Sequence, residues 1–209
     1  MEQDFELGDI SLQPTVHIYA SLILTLAHSW DKHKARKAYA ILSNMHHLYE
    51  NGLNTLSKSN VYTYNAVLNA CAYTHGYEEN TNDAFKIACK TFDRIQKNEY
   101  DKPNHITYGT FLKVCLILLP DLDTQKTIIN ALFKKNCLEG QLGEVVLRQL
   151  RASASQNMIH DLLTPGINGE DELVSDLTNI RTGDSPKNWS RNVREKKGRW
   201  RDSTTISLI

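Results

Sequence analysis

Val61-Tyr62-Thr63-Tyr64-Asn65-Ala66-Val67-Leu68-Asn69-Ala70-Cys71-Ala72 decides the fold of this chain, because two other stretches repeat its pattern without gaps. One is Val16-His17-Ile18-Tyr19-Ala20-Ser21-Leu22-Ile23-Leu24-Thr25-Leu26-Ala27. The other is His105-Ile106-Thr107-Tyr108-Gly109-Thr110-Phe111-Leu112-Lys113-Val114-Cys115-Leu116. Tyr19, Tyr64 and Tyr108 coincide at the fourth position, and Leu22, Val67 and Phe111 at the seventh. Ile23, Leu68 and Leu112 share the eighth, and Leu26, Cys71 and Cys115 the eleventh. Apolar residues separated by three, one and three lie on one face of an α-helix. Thr15, Asn60 and Asn104 stand just before the three copies, where Thr and Asn side chains accept hydrogen bonds from the free N–H groups of a first turn. Pro14 and Pro103 beside two of them mark the same helix starts.

A second helix follows each first one. Ala38, Leu42 and Met45 are spaced by four and three, and Ala88, Phe92 and Ile95 repeat that spacing. The third second helix runs from about Asp123 to Asn136 and stops at Gly140, while Gly52 and Gly76 punctuate the ends of others. A weaker fourth copy begins near Gly140, with Val146, Leu147 and Leu150 on the seventh, eighth and eleventh positions and Gly143 in place of the tyrosine. Its second helix is Gln156 to Leu163, ended by Thr164-Pro165-Gly166. The first two copies are longer than the third, and the extra residues read as linker from Leu53 to Ser59 and from Tyr77 to Asn82.

A lone helical hairpin cannot bury both of its faces, whereas stacked hairpins can. The expected fold is therefore all-α, a right-handed superhelical solenoid of helix-turn-helix repeats. Its layout is a lead-in at 1–15, repeats at 16–60, 61–104 and 105–139, a degenerate capping repeat at 140–163, and a largely disordered, basic-ended tail at 164–209. The tail is assigned from its polar composition, rich in Gly, Asn, Asp and Ser.

Within this pattern, Val61-Tyr62-Thr63-Tyr64-Asn65-Ala66-Val67-Leu68 resembles the signature of the pentatricopeptide repeat (PPR) family. So does Lys102-Pro103-Asn104 leading into His105-Ile106-Thr107-Tyr108-Gly109. The Ala38/Leu42/Met45 spacing is similar to that family's second helix, and the resemblance covers about residues 14–163. Trp189-Ser190-Arg191-Asn192-Val193 resembles the C-terminal end of some algal members. The W-x-x-L-G-x-x-Y pattern of tetratricopeptide repeats is absent. The resemblance implies a binder of single-stranded RNA in mitochondrion or plastid, acting in RNA processing, stability or translation.

The same resemblance implies the site. The fifth position of each first helix reads a base edge, assisted by the last residue of the repeat, which gives Ala20 with Asn60, Asn65 with Asn104, and Gly109 with Glu139. Asn65 is the one credible reader, since its amide offers both a donor and an acceptor. An Asn/Asn pair implies a pyrimidine, cytosine before uracil. Ala20 and Gly109 cannot hydrogen-bond through side chains. The second position sandwiches bases, which points to His17, Tyr62 and Ile106, with Tyr62 and His17 as aromatic platforms. Plainer readings stand beside these: Asn104 as a helix cap, Asn65 on a solvated face, and Tyr62 and His17 as exposed helix starts. Tyr19, Tyr64 and Tyr108 read as packing residues.

Charge bears on the partner. Lys+Arg and Asp+Glu both number 24, so there is no overall basic surplus to hold phosphates. Local surplus lies on Lys86, Lys90, Arg94 and Lys97, where a solvated helix face is the plainer reading. A second lies between Lys187 and Arg201, where seven basic residues with Trp189 and Trp200 face the single acid Glu195. Met1 to Ile10 carries Glu2, Asp4, Glu6 and Asp9 and no Lys or Arg, the opposite of a transit peptide's composition. No apolar run is long enough to span a membrane. Cys71, Cys89, Cys115 and Cys137 form no C-x-x-C pair, and Cys71 and Cys115 read as small buried hydrophobes. No nucleophile–base pair, phosphate-cradling glycine loop or metal-ligand spacing stands out, and the adjacent His46 and His47 point in different directions on a helix. The expectation is therefore no catalysis, no metal or other cofactor, no membrane and no small-molecule substrate. Protein partners in the same concave groove are the alternative to RNA.

Overall fold

The computed structural model describes residues 13–74, 78–163 and 180–193. Among these the chain is all-helical, with eight α-helices and no strand. They are α1 (Val16–His28), α2 (Lys34–Glu50), α3 (Val61–Ala72), α4 (Glu78–Lys97), α5 (His105–Leu118), α6 (Leu122–Leu138), α7 (Glu144–Ser153) and α8 (Gln156–Leu163). No helix among the described residues is long and apolar enough to cross a membrane.

Local chemistry sets the helix starts. Asn60 and Asn104 each accept hydrogen bonds from the N–H groups two and three residues on, and Thr63 and Thr107 each accept the cap residue's own N–H in return. These reciprocal boxes satisfy donors that a helix start otherwise leaves open. Asp121 caps α6 by accepting from the Thr124 N–H at 2.8 Å, and that bonding lowers the pKa of its carboxyl. Thr15 occupies the cap position of α1 without a side-chain hydrogen bond. Gly52 and Gly140 end α2 and α6 with φ of 68° and 65°, a left-handed backbone that glycine adopts at no steric cost. Lys34, almost fully buried, donates to the carbonyls of Ser29 (2.6 Å) and Ala27 (3.4 Å), placing a cation on the open carbonyl end of α1.

The first helices form a row in chain order. α1 packs on α3, α3 on α5 and α5 on α7, while α2, α4 and α6 each pair with the first helix before them. The recurrent tyrosines sit inside this row, with Tyr19 3%, Tyr64 0% and Tyr108 1% exposed. Ala38, Leu42, Met45, Ala88, Phe92 and Ile95 are buried on the second helices, and Cys71 and Cys115 are buried on the first helices α3 and α5. Burial of each large apolar side chain stabilises the fold by about 1.5–3 kcal/mol. Phe92 of α4 stacks on Phe111 of α5 (centroids 4.3 Å, 10°) and meets Tyr108 edge-on at 5.6 Å, tying the second copy to the third.

Several expectations are corrected. Leu22 is 48% exposed rather than buried, because no described helix precedes α1 in the row. The stretch read as linker from Tyr77 to Asn82 is helical from Glu78, so the extra residues lengthen α4 instead of its connection. The helical face continues backward through fully buried Ala84, and Asp83 forms an ion pair with Arg36 of α2. The tail is in part a packed element. Ile180 is 1% exposed, Trp189 meets Phe133 of α6 edge-on at 5.8 Å, and the Leu142 N–H donates to the Trp189 carbonyl at 2.8 Å. Asn192 donates from its backbone N–H to the Gly140 carbonyl and from its side chain to the Glu139 carbonyl. Residues 1–12, Gly76, Thr164-Pro165-Gly166 and the basic residues from Arg194 to Arg201 lie outside the described residues.

Candidate nucleic-acid interface

Because the central first helices pack on both sides, only a narrow stripe of each reaches solvent. On α3 and just past its end, Tyr62 is 68% exposed, Asn69 half-buried and Tyr73 38% exposed. On α5 the matching residues are Ile106 (36%), half-buried Lys113 and Ile117 (49%). These are the second, ninth and thirteenth positions of the copies, and steps of seven and four keep to one face of a helix. On α1 the same positions carry His17, Leu24 and His28, all exposed, and on α7 the ninth is the exposed Arg148.

The wall of the stripe is ordered by direct contact between neighbouring copies. The ring of His28 lies 5.5 Å from that of Tyr73, and Lys113 Nζ sits 3.8 Å from the Tyr73 centroid. A cation over an aromatic face contributes about 0.5–1 kcal/mol at exposed sites. Lys113 is thereby held at the wall beside the aromatic pair.

The fifth position behaves differently. Asn65 is only 6% exposed, so it does not lie on a solvated face, and its buried Oδ1 has no hydrogen-bond partner. A polar atom left unpaired in this way costs about 1–3 kcal/mol. Ala20 is half-buried. Gly109 is shut off by α7, since a Cβ added there would lie 2.7 Å from Val145 Cγ1 and 3.3 Å from Val145 backbone. Gly143, at the tyrosine position of the fourth copy, also lies close to its neighbour, since a Cβ added there would be 3.0 Å from His105 Cβ. Both glycines serve the close crossing of α5 and α7.

The partner residues at the repeat ends are committed to the fold. Asn60 and Asn104 use their side-chain oxygens as helix caps, which leaves only amide N–H groups to offer a base. Glu139 accepts a 2.7 Å hydrogen bond from Tyr108 Oη. Tyr62, His17 and Ile106 are accessible, and the first two present aromatic rings to solvent.

The remaining basic and histidine features are structural or lie elsewhere. Lys86, Lys90 and Lys97 are exposed on the second helix α4, with Lys97 paired to Asp93 at 2.7 Å. His46 Nε2 is 3.1 Å from both Ser59 Oγ and Tyr64 Oη. Burial, then the nearby charge of Arg94, holds His46 below its ordinary pKa. Trp189 and Arg191 are engaged in docking the C-terminal segment on α6.

Resemblance to the repeat family points at the second and fifth positions and passes over the ninth and thirteenth. Asn69 and Tyr73 follow Tyr62 by seven and eleven residues, so helical periodicity alone places them in the same stripe. No family model, no curated protein and no solved structure matches this chain.

Proposed function

We propose that this chain is a PPR-like helical-repeat solenoid that binds single-stranded RNA along the row of first helices. The observation that carries the reading is the stripe itself. Equivalent positions on consecutive helices stay accessible and hold His17, Tyr62, His28, Tyr73, Lys113 and Arg148. Aromatic faces accept any base by stacking, at about 1–3 kcal/mol per base, while Lys and Arg neutralise phosphate. Among the fifth positions of the three copies, Asn65 alone carries an amide, and its unpartnered Oδ1 is an acceptor that a base amino group would satisfy. With Gly109 closed by α7 and Ala20 apolar, sequence reading is confined to that position. By the same family resemblance the setting is a mitochondrion or plastid.

A second reading has one specific observation in its favour. Of the fifth positions Asn65 is buried and Gly109 is blocked, and the formal charge of the whole chain is zero, which suits a protein partner in the same groove. Fluorescence anisotropy on labelled C-rich and A-rich oligoribonucleotides separates the two. The RNA reading expects salt-dependent binding that Tyr62→Ala weakens by roughly 5-fold or more. Absence of binding to either oligonucleotide at low salt would transfer the groove to a protein partner.

A further inference from the structure

The first helix of the row shows outward a face that its counterparts bury. Positions three, six, seven and ten carry Thr63, Ala66, Val67 and Ala70 on α3, and Thr107, Thr110, Phe111 and Val114 on α5. None of these eight is more than 7% exposed. On α1 the same positions are Ile18 (41% exposed), Ser21, Leu22 (48%) and Thr25, all open. This is the leading side of a first helix. At the α5–α7 crossing, the fifth position of one helix, Gly109, abuts the sixth position of the next, Val145. The open face of α1 thus continues an interface that the fold makes three times over.

Two features select what covers it. Val16–His28 contains no Asp, Glu, Lys or Arg, so a second α1 can approach without like-charge repulsion, and no ionic partner is asked for. The far end of the row is closed to a head-to-tail neighbour. There Glu144 and Arg151 occupy the fifth and twelfth positions of α7 as an ion pair, and Arg151 also donates to the Ile180 carbonyl. Stacking another first helix on that side would take this pair out of water, at a desolvation cost that the attraction does not reliably offset. What remains is the self-complementary arrangement, which closes as a dimer and does not propagate.

We infer that α1 packs against α1 of a second copy of this chain across a two-fold axis, through Ile18, Ser21, Leu22 and Thr25. The steps of four and three from Ile18 to Leu22 to Thr25 make one helical seam, apolar at Ile18 and Leu22 and uncharged throughout, and Ser21 is small enough to allow close approach. His17, Leu24 and His28 lie to one side of the seam, so the stripe described above stays open in the dimer. The inference is independent of what that stripe binds.

Light scattering on the eluting full chain tests it. The expected mass is twice 23.8 kDa at micromolar concentration. Leu22→Glu, at a position half open to solvent, should leave the circular dichroism unchanged and weaken association by about tenfold or more, because each copy would bring a charge into the seam. Mixing Leu22→Glu with Leu22→Lys chains should restore a mixed dimer. A wild-type chain that stays monomeric at high concentration would overturn the inference, as would a dimer insensitive to both Leu22→Glu and Ile18→Glu. Should those variants unfold, Ser21→Cys under oxidising conditions must give a disulfide-linked dimer, and its absence overturns the inference equally.

Discussion

Tyr108 Oη donates a 2.7 Å hydrogen bond to Glu139 Oε2, joining the fourth residue of one first helix to the end of the second helix that follows it. Burial, then the hydrogen bond and charge of Glu139, raises the pKa of the phenol. In the second copy the Tyr64 hydroxyl lies 3.5 Å from Asn98 Nδ2, just past the end of α4, and 3.1 Å from His46 Nε2 of α2 in the preceding copy. The repeated tyrosine is therefore a packing residue whose polar tip latches the hairpin. Tyr108→Phe should keep the packing and lose the latch, lowering unfolding free energy by about 1.5–3 kcal/mol, since one partner is a carboxylate. Urea unfolding followed by circular dichroism measures this, and a change within experimental scatter would remove the latch from the account.

Gly109→Ala offers a sharper steric test. In an open helix interior this change stabilises by about 1 kcal/mol. Here the new Cβ meets Val145 Cγ1 at 2.7 Å and Val145 backbone at 3.3 Å, so the sign should reverse, with a loss of about 1–3 kcal/mol. Because the tightest contact is the Val145 side chain, Val145→Ala should recover part of the loss in the double variant. Equal and additive effects in a double-mutant cycle would show that the two residues do not meet.

Burial gives the chain a specific alkaline weakness. The thiols of Cys115 and Cys137 are pushed up to about 12 from an ordinary 9.0, and those of Cys71 and Cys89 are raised as well, in every case chiefly by desolvation. Above pH 9 the unfolded chain releases protons that the folded chain retains. Stability is thus complete below about pH 9 and falls as pH rises toward 12, by up to about 1.4 kcal/mol per pH unit for each thiol. Urea midpoints taken between about pH 8 and 10 should show this decline, and replacing Cys115 and Cys137 together by Ala should make it shallower, the remainder coming from Cys71 and Cys89.

The C-terminal segment is predicted to contribute to the stability of the α6 end. Trp189→Ala removes the edge-on contact with Phe133 and should destabilise by about 1–3 kcal/mol, with faster amide exchange at Leu142, whose N–H bonds to the Trp189 carbonyl. Unchanged exchange at Leu142 would mean that the segment does not dock in solution.

Much of the helical order was legible in the sequence, because tyrosine and small apolar residues recur at a spacing only one face of a helix can satisfy. The helix expected over Gln156 to Leu163 is present as α8. The failures have physical causes. Periodicity finds an apolar face but not whether a neighbour covers it, which is why Leu22 carries the core pattern and yet lies open. The run Asn80 to Asp83 has loop-like composition, yet tertiary contacts of Ala84 and Asp83 carry the helix through it. Trp189 is an isolated apolar residue in a polar stretch and leaves no periodic signal, whereas Ile180 follows Leu173 and Leu177 at steps of four and three, a pattern that composition alone passes over. Within the candidate site, the exposure of Tyr62 follows from its position at a helix start. The burial of Asn65 and the closure of Gly109 depend on the distance between adjacent first helices, which no single copy encodes.

The central claim is that the stripe of Tyr62, Tyr73 and Lys113 binds single-stranded RNA. Anisotropy titration of one labelled C-rich oligoribonucleotide at about 50 mM salt, with wild-type chain and with Tyr62→Ala/Lys113→Ala, tests it most directly. Loss of a stacking side chain and a phosphate contact together should weaken binding by roughly 10-fold or more and lower the salt slope by about one. Wild-type and doubly substituted chains that bind equally, or do not bind at all, would contradict it.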